Sequence, residues 1–462
     1  MLKRSPRCAL LCAALALVSE PGLLAQQVTV PGPDVRWTLA AVGDAIITRR
    51  VAQFDHAADP AFAAMTRVIR EADAAALNLE INLFDMEMFE GWPEVENGGA
   101  WELGPPVAAH DLKEMGFDLF ARANNHTTDY GVAGMRATNR LLDELGLVHA
   151  GTGENLGWAS RPGYLETTKG RIALIGLATT FTNMSRAGAA RPEVPGRPGL
   201  NALRVTTRTE ATPAALTQAA ALAVALGGRQ PEAGAAVRVA GATLYPGPEN
   251  RAVSSVEPED TARILREIRN AADQADFVVV TSHSHEPGNS ATAPDEWMRE
   301  WAHACIDAGA VVYMIHGPHQ LRGVEIYKGR PIFYSLGNFV FQNETIDPMP
   351  SDNYEGFDLP ATALAKDLYD ARFRNGTTGF PSSPVWYESV VALPTFEGKE
   401  LVELRLYPID LGQTRPRSQR GTPRLADAET GRKIIDRMAQ QSAAFGTVIR
   451  YEAGVGVWRR GS

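Results

Sequence analysis

The sequence predicts an α/β fold with a layered core, and three observations carry that reading. From Trp37 onward, short apolar runs alternate with amphipathic helical patterns. The runs are nearly continuous in apolar residues, as strands covered on both faces require. Two hairpin signals late in the chain, Lys328-Gly329-Arg330 and Phe396-Glu397-Gly398-Lys399, turn the sheets antiparallel there. Mixed sheets are therefore expected.

The elements follow in order. Strands are expected at 38–42, 74–79, 118–123, 171–178, 276–282 and 311–315, with helices between them at 60–71, 107–115, 132–145, 258–272 and 295–307. In the helix at 258–272, Ala262, Ile264, Leu265 and Ile268 recur at helical spacing. The hairpins pair 323–327 with 331–336 and 388–393 with 401–406, and a helix follows at 427–443. Two segments read as insertions. Residues 181–256 are rich in Ala, Gly and Pro, with one Ala-rich helix at 213–226; residues 343–384 are polar, punctuated by Pro, Asp and Gly. Residues 36–345 are thus expected to form one domain interrupted at 181–256, which 346–462 complete with a loop, a hairpin and a helix.

Composition bounds the function classes. With 45% hydrophobic and 21% charged residues the chain is an ordinary globular one, and a formal charge of −9 argues against a nucleic-acid surface. Lys3, Arg4 and Arg7 precede an uncharged apolar run at 8–18, and Leu23 and Ala25 follow in a rough A-x-A position. That layout is a secretory signal peptide at 1–25. The run falls well short of the roughly 20 residues that a spanning helix takes. A periplasmic or secreted protein is expected, with no integral membrane segment once the leader is removed. Cys8 and Cys12 lie inside that leader, leaving Cys305 alone. Neither an intramolecular disulfide nor a Cys-based zinc site is then expected.

The chemistry falls to His, Asp, Glu and Asn, and these gather where predicted strands end, the edge at which open α/β sheets build their sites. Gly43-Asp44 follows the first strand and fits either a surface turn or a presented carboxylate. Asn78-Leu79-Glu80 ends the second, and a lone Glu there also fits a solvated loop. Asn124-Asn125-His126 follows the third, with Asp129 just beyond; turn capping explains one Asn but not the His. The strand at 276–282 runs into His283-Ser284-His285, whose alternation puts both imidazoles on one side. The strand at 311–315 runs into His316-Gly317-Pro318-His319, a chelate spacing held by a turn. Five of the 9 histidines fall in these segments. Mixed carboxylate, amide and imidazole donors suit one or two divalent ions such as Mn, Fe or Zn, which ease the ionisation of water.

The stretches "NLE" (78–80), "ANNHTTDYG" (123–131) and "HGPHQLRGVEIYKGRPIFYSLGNF" (316–339) resemble the CapA/PgsA family of capsule and poly-γ-glutamate proteins. The resemblance covers about 37–342, outside the insertion. It implies a fold similar to the calcineurin-like metallophosphoesterases: a four-layer α/β/β/α sandwich with mixed sheets and a two-metal site. It implies that Asp44 and His319 bind one metal, His283 and His316 the other, with Glu80 between them and Asn125 an amide ligand. His126 would be the acid near the leaving group. Metallophosphoesterases have a His two residues after the first Asp, where this chain has Ile46, and His285 has no clear counterpart.

Two readings follow. One is a metal-dependent hydrolase of a phosphoester or anionic cell-surface polymer; the other is a non-catalytic accessory that binds the polymer or its synthesis machinery. Arg49, Arg50, Arg322 and Lys328 fit either attraction of an anionic substrate or plain solvated charge. Trp92, Trp101 and Trp158 fit stacking on a ligand or ordinary packing.

Overall fold

A computed structural model describes residues 35–461 apart from 56, 95–97 and 233. The expected leader at 1–25 lies outside the described residues.

The core strands are, in chain order, β1 (Arg36–Ile46), β2 (Ala74–Leu79), β3 (Leu119–Ala121), β4 (Val148–Ala150), β5 (Gly163–Thr167) and β6 (Gly170–Ala178). Then come β7 (Phe277–His283), β8 (Val312–His316), β9 (Val324–Tyr327), β10 (Arg330–Phe333) and β11 (Asn338–Phe341). The chain ends with β12 (Glu388–Glu397), β13 (Glu400–Asp410), β14 (Arg450–Glu452) and β15 (Val455–Arg459). They form two mixed sheets. The first runs β14-β15-β13-β12-β1-β2-β3-β4, with β11 beside the end of β1; the second runs β9-β10-β8-β7-β6-β5.

Period-two alternation explains how the sheets meet. Leu39, Ala41, Ala74 and Ala76 of the first sheet share a buried cluster with Ile172, Leu174, Phe277, Val279, Val312 and Met314 of the second. The intervening residues face outward. Ala40, Val42, Ala75 and Leu77 pack under α1 (Pro60–Arg70), α2 (Val107–Glu114) and α3 (Gly131–Glu144). Ala173, Ile175, Val278, Val280 and Ile315 pack under α4 (Pro258–Gln274) and α5 (Glu296–Asp307). Helices thus cover the outer face of each sheet. The helix α6 (Ala428–Ala443) adds Ile434, Ile435 and Met438 to the layer between them. Local signals set the helix starts: the Asp59 side chain accepts the Phe62 N–H with Pro60 at the first helical position.

The alternation also aims the site. Continuing Ala74 and Ala76 inward brings Asn78 and Glu80 to the same side; continuing Phe277 and Val279 brings His283, and Val312 and Met314 bring His316. Asp44 would point the wrong way by simple counting. A bulge corrects it: Ala41 pairs with Ala76, but Asp44 pairs with Asn78, so β1 holds one extra residue there.

The first expected insertion holds the helix expected at 213–226, and both carry further structure that the sequence did not signal. Residues 205–256 include a four-stranded sheet (Val205–Ala211, Val237–Val239, Ala242–Pro246 and Arg251–Val256) beside the helix Pro213–Ala225, with its own small core of Ala211, Leu216, Ala219, Ala223 and Val237. Thr206 to Arg208 in the first of these strands are exposed one after another, so no buried face left a period to read. Residues 343–384 form the helices Ser351–Glu355 and Ala365–Arg372 over a cluster of Ile346, Met349, Leu368, Tyr369 and Phe373. The short β4 and the edge strand β5 were also unsignalled.

Candidate metal centre

All seven residues singled out as ligands or acid end up on one edge, between the two sheets. Asp44 Oδ1 accepts from Asn78 Nδ2 at 2.8 Å, and Asp44 Oδ2 accepts the Gly317 backbone N–H at 3.0 Å. His316 Nδ1 lies 3.7 Å from Asp44 Oδ1, and His319 Nδ1 lies 3.6 Å from Asp44 Oδ2. Glu80 Oε1 faces His283 Nε2 at 3.4 Å, His319 Nε2 at 3.8 Å and His285 Nε2 at 4.0 Å. Asn125 Oδ1 reaches His285 Nε2 at 3.4 Å. Two groups have ligand atoms within 4.8 Å of one another: Asp44, Glu80 and His283, and Glu80, His285 and His319. Glu80 is common to both.

The turn after β8 is shaped for this. Gly317 has φ +106°, and a Cβ there would sit 2.9 Å from Ser284 O, so only glycine fits. His319 itself adopts φ +57°, a left-handed conformation uncommon outside glycine that Asn, Asp and His adopt more readily than other side chains. Its Nδ1–H donates to Asn338 Oδ1 at 2.9 Å, which turns Nε2 toward Glu80.

Burial makes the electrostatics severe. Both Glu80 carboxylate oxygens and both His316 ring nitrogens are buried without a hydrogen-bond partner. Burial lifts the Asp44 carboxyl to about 7, against lowering by Asn78 and Gly317. Burial, then Asp44, Glu102 and Asp129, raise Glu80 well above the usual carboxylate range. Burial pushes His316 and His319 down to about 3 and lowers His283 and His285 as well. Two buried carboxylates beside neutral imidazoles, with orphaned donor atoms, are a donor set that a divalent cation fits.

His126 stands at the rim. Its Nδ1–H donates to Asp129 Oδ2 at 2.8 Å, and the same oxygen accepts the Glu102 backbone N–H at 2.7 Å. A cavity of about 330 Å³ opens here, lined by His126, Asn125, His285, His319, Glu102 and Ile46 among others. Asn343 and Phe380 also line it, so the 343–384 segment contributes to the site.

Several supporting residues carried no usable signal in the sequence. Asn78 Nδ2 also donates to His283 Nδ1 at 3.1 Å, and Asn124 Nδ2 donates to Asn78 Oδ1, fixing that amide. Asn78 and Asn124 were visible only as parts of their motifs. The fully buried Arg122 donates to the Leu79 and Ile81 carbonyls on either side of Glu80, gripping its turn. Of the basic residues considered, Arg322 is buried and donates to the carbonyls of Glu286, Gly288 and Ala291. Lys328 pairs with Asp307 at the hairpin before β10, the opposite edge from the site. Arg50 pairs with Asp111, and Arg49 donates to Thr345 and the Arg420 carbonyl. Trp101 packs with Phe84, Leu103 and Tyr130; Trp92 and Trp158 are exposed.

Glu102 yields a test of the electrostatics. Burial raises its carboxyl to about 7, with His126 lowering it and Asp129 raising it. The folded value exceeds the unfolded one, so the folded state binds more protons and stability falls as pH rises between them. The cost is fully present above pH 7 and vanishes near the ordinary carboxylate value. Glu102→Gln is expected to gain about 3 kcal/mol at pH 8 and roughly half that at pH 5.5. Urea unfolding at both pH values reads the difference; a gain independent of pH would contradict a buried, proton-holding Glu102.

The family model described as bacterial capsule synthesis protein PGA_cap matches residues 38–343. The chain belongs to this family. The match spans β1 to β11 and every ligand candidate, and the PGA_cap region ends at the cavity residue Asn343. An uncharacterised protein, y4sH, of Sinorhizobium fredii is 41% identical over 92% of this chain and 93% of its own length. The capsule biosynthesis protein CapA of Bacillus anthracis is 27% identical over 66% of this chain and 59% of its own length. The PGA biosynthesis protein CapA of Bacillus subtilis is 30% identical over 50% of this chain and 44% of its own. This chain therefore spans little more than half, or less, of the two CapA proteins. Among the described residues, no helix is long and apolar enough to cross a membrane.

Proposed function

We propose that this PGA_cap chain is an exported, divalent-metal-dependent hydrolase of a phosphoester or an anionic cell-surface polymer. The fold reading that goes with it is a metallophosphoesterase-like four-layer α/β/β/α sandwich. One observation carries the proposal: Glu80, common to the two ligand groups, and His316, beside Asp44, bury four potential ligand atoms without hydrogen-bond partners. Uncompensated buried polar atoms cost about 1–3 kcal/mol each, and a cation there would repay them. The capsule and PGA biosynthesis names of the CapA relatives support the polymer context.

In this reading Asp44, Glu80 and His283 would hold one ion, and Glu80 with His319 the other, which regroups the Asp44–His319 pair implied by the family resemblance; His316 beside Asp44, and Asn125, would add donors. Bound divalent ions would supply Lewis acidity and ease the ionisation of water near neutral pH. The chain's own residues do the rest. Asn78 and the Gly317 N–H orient Asp44, and Asn338 orients His319. Asp129 holds His126 by Nδ1, leaving Nε2 to carry a proton to the departing oxygen.

Elemental mass spectrometry of the purified protein tests this. About two equivalents of Mn, Fe or Zn are expected, lost in a His316→Ala/His319→Ala variant. A screen of phosphoesters and poly-γ-glutamate for metal-dependent turnover follows. An absence of metal after metal-supplemented growth would overturn the hydrolase and leave a polymer-binding accessory.

A further inference from the structure

The donor set proposed above is uneven. The cavity beside His319 is lined by the Asn125 amide and the aliphatic Ile46, so few strong donors other than imidazole stand there. We infer that His285 is the missing donor: a second imidazole that completes the cation position of Glu80 and His319.

Three observations carry this. First, His285 belongs by distance to the Glu80–His319 group, its Nε2 lying 4.0 Å from Glu80 Oε1. Second, its tautomer is set from behind. His285 Nδ1–H donates to Asn289 Oδ1 at 2.7 Å, just as His319 Nδ1–H donates to Asn338 Oδ1. Each Asn carbonyl fixes the proton on Nδ1 and turns the Nε2 lone pair inward, the arrangement that metal-ligating histidines use. In the structure that lone pair of His285 accepts from His283 Nε2 at 3.1 Å, a contact that an ion would replace. Third, the loop bearing His285 is anchored far beyond what a surface turn needs. The His285 backbone N–H donates to Thr180 Oγ1, and the neighbouring Glu286 carboxylate accepts from Thr179, Thr180 and Ser284. Arg322 spends its guanidinium on three carbonyls of the same loop. A fully buried arginine committed to one loop spends its charge on holding that loop in place.

The side chain of His285 is 23% exposed, unlike His283 and His319, which are buried. Its position is the solvent side of the pair, so its loss should empty one cation position and leave the inner one intact. The inference rests on the two-ion reading, and the experiment separates the two. Metal stoichiometry is measured by elemental mass spectrometry, and Co(II) absorption spectra are recorded, for the wild type, His285→Ala and His285→Gln, each checked for folding by circular dichroism. The expected result is one equivalent lost and a weaker Co(II) ligand-field spectrum in both variants. Two equivalents with an unchanged spectrum in either folded variant would overturn the role of His285 while leaving the two-ion reading intact. No metal in the wild type would overturn both. Ile46→His in the His285→Ala background supplies an imidazole to the same cavity, and recovery of the lost equivalent is the expected rescue.

Discussion

Replacing Glu80 by Gln is expected to abolish cation binding while making the metal-free protein more stable. Glu80 is fully buried with neither carboxylate oxygen hydrogen-bonded, and Asp44, Glu102 and Asp129 stand close enough to oppose its charge. A neutral amide of the same shape removes that opposition. At pH 8 the metal-free variant should therefore be more stable than the wild type, because the buried charge and its repulsion by Asp44, Glu102 and Asp129 are gone. The sign with pH follows from the raised folded pKa: the wild-type cost is present at high pH and shrinks as pH falls into the ordinary carboxylate range. With saturating Mn the order reverses. An ion at a hundredfold excess over its dissociation constant contributes about 2.7 kcal/mol to the wild type, and the variant should gain nothing. Thermal unfolding with EDTA and with Mn reads both halves. A Glu80→Gln protein that keeps the ion-induced shift would remove Glu80 from the centre, and with it the two-ion reading. Stability and function conflict at this residue, as they do where a site stores unfavourable burial for use.

The parts of the molecule that were legible in the sequence are those whose physics is local. The strand at 74–79 was readable to the residue because Ala-Ala-Ala-Leu-Asn-Leu is buried on both faces and needs no knowledge of its neighbours. His283 and His316 were legible because each follows such a run, and alternation correctly put His283 and His285 on one side. The ring nitrogens of that pair meet at 3.1 Å. What could not be read is what depends on which strands are neighbours. Asn78 stood in plain view, but its grip on Asp44 and His283 exists only because β2 lies beside β1 and faces β7 of the other sheet. Glu102, Asn289 and Asn338 sit on loops or just past them, where no period announces a buried side chain. The sheet within 205–256 was hidden for the opposite reason, since consecutive residues of its strands face solvent. Arg322 and Lys328 were grouped together by charge and proximity in sequence, yet one is buried under the site and the other marks the far edge.

Gly43→Ala is expected to be the most damaging single-methyl change near the site. A Cβ at Gly43 would fall 1.7 Å from Gly337 O and 2.7 Å from its carbonyl carbon, which is backbone and has no rotamer to yield. Gly337 is held in turn: its carbonyl accepts the Asp44 N–H at 3.1 Å, and its own N–H donates to Ser335 Oγ at 3.1 Å. The clash therefore cannot relax without parting β1 from the start of β11, at the point where the extra residue of β1 re-aims Asp44. A cost of about 3 kcal/mol is expected, the upper range for overpacking. Gly146→Ala is the control. It meets nothing within 4 Å and carries only the strain of its φ of +68°, a cost of about 1 kcal/mol. The two variants separate by a second reading as well. Gly146→Ala should keep the full Mn-induced rise in thermal midpoint, whereas any folded Gly43→Ala protein should lose most of it because its Asp44 carboxylate has moved. Urea midpoints and Mn titrations of the two proteins decide it. Equal midpoints and equal Mn responses would mean that β1 does not approach Gly337 as closely as described, and the bulge would then not be what aims Asp44.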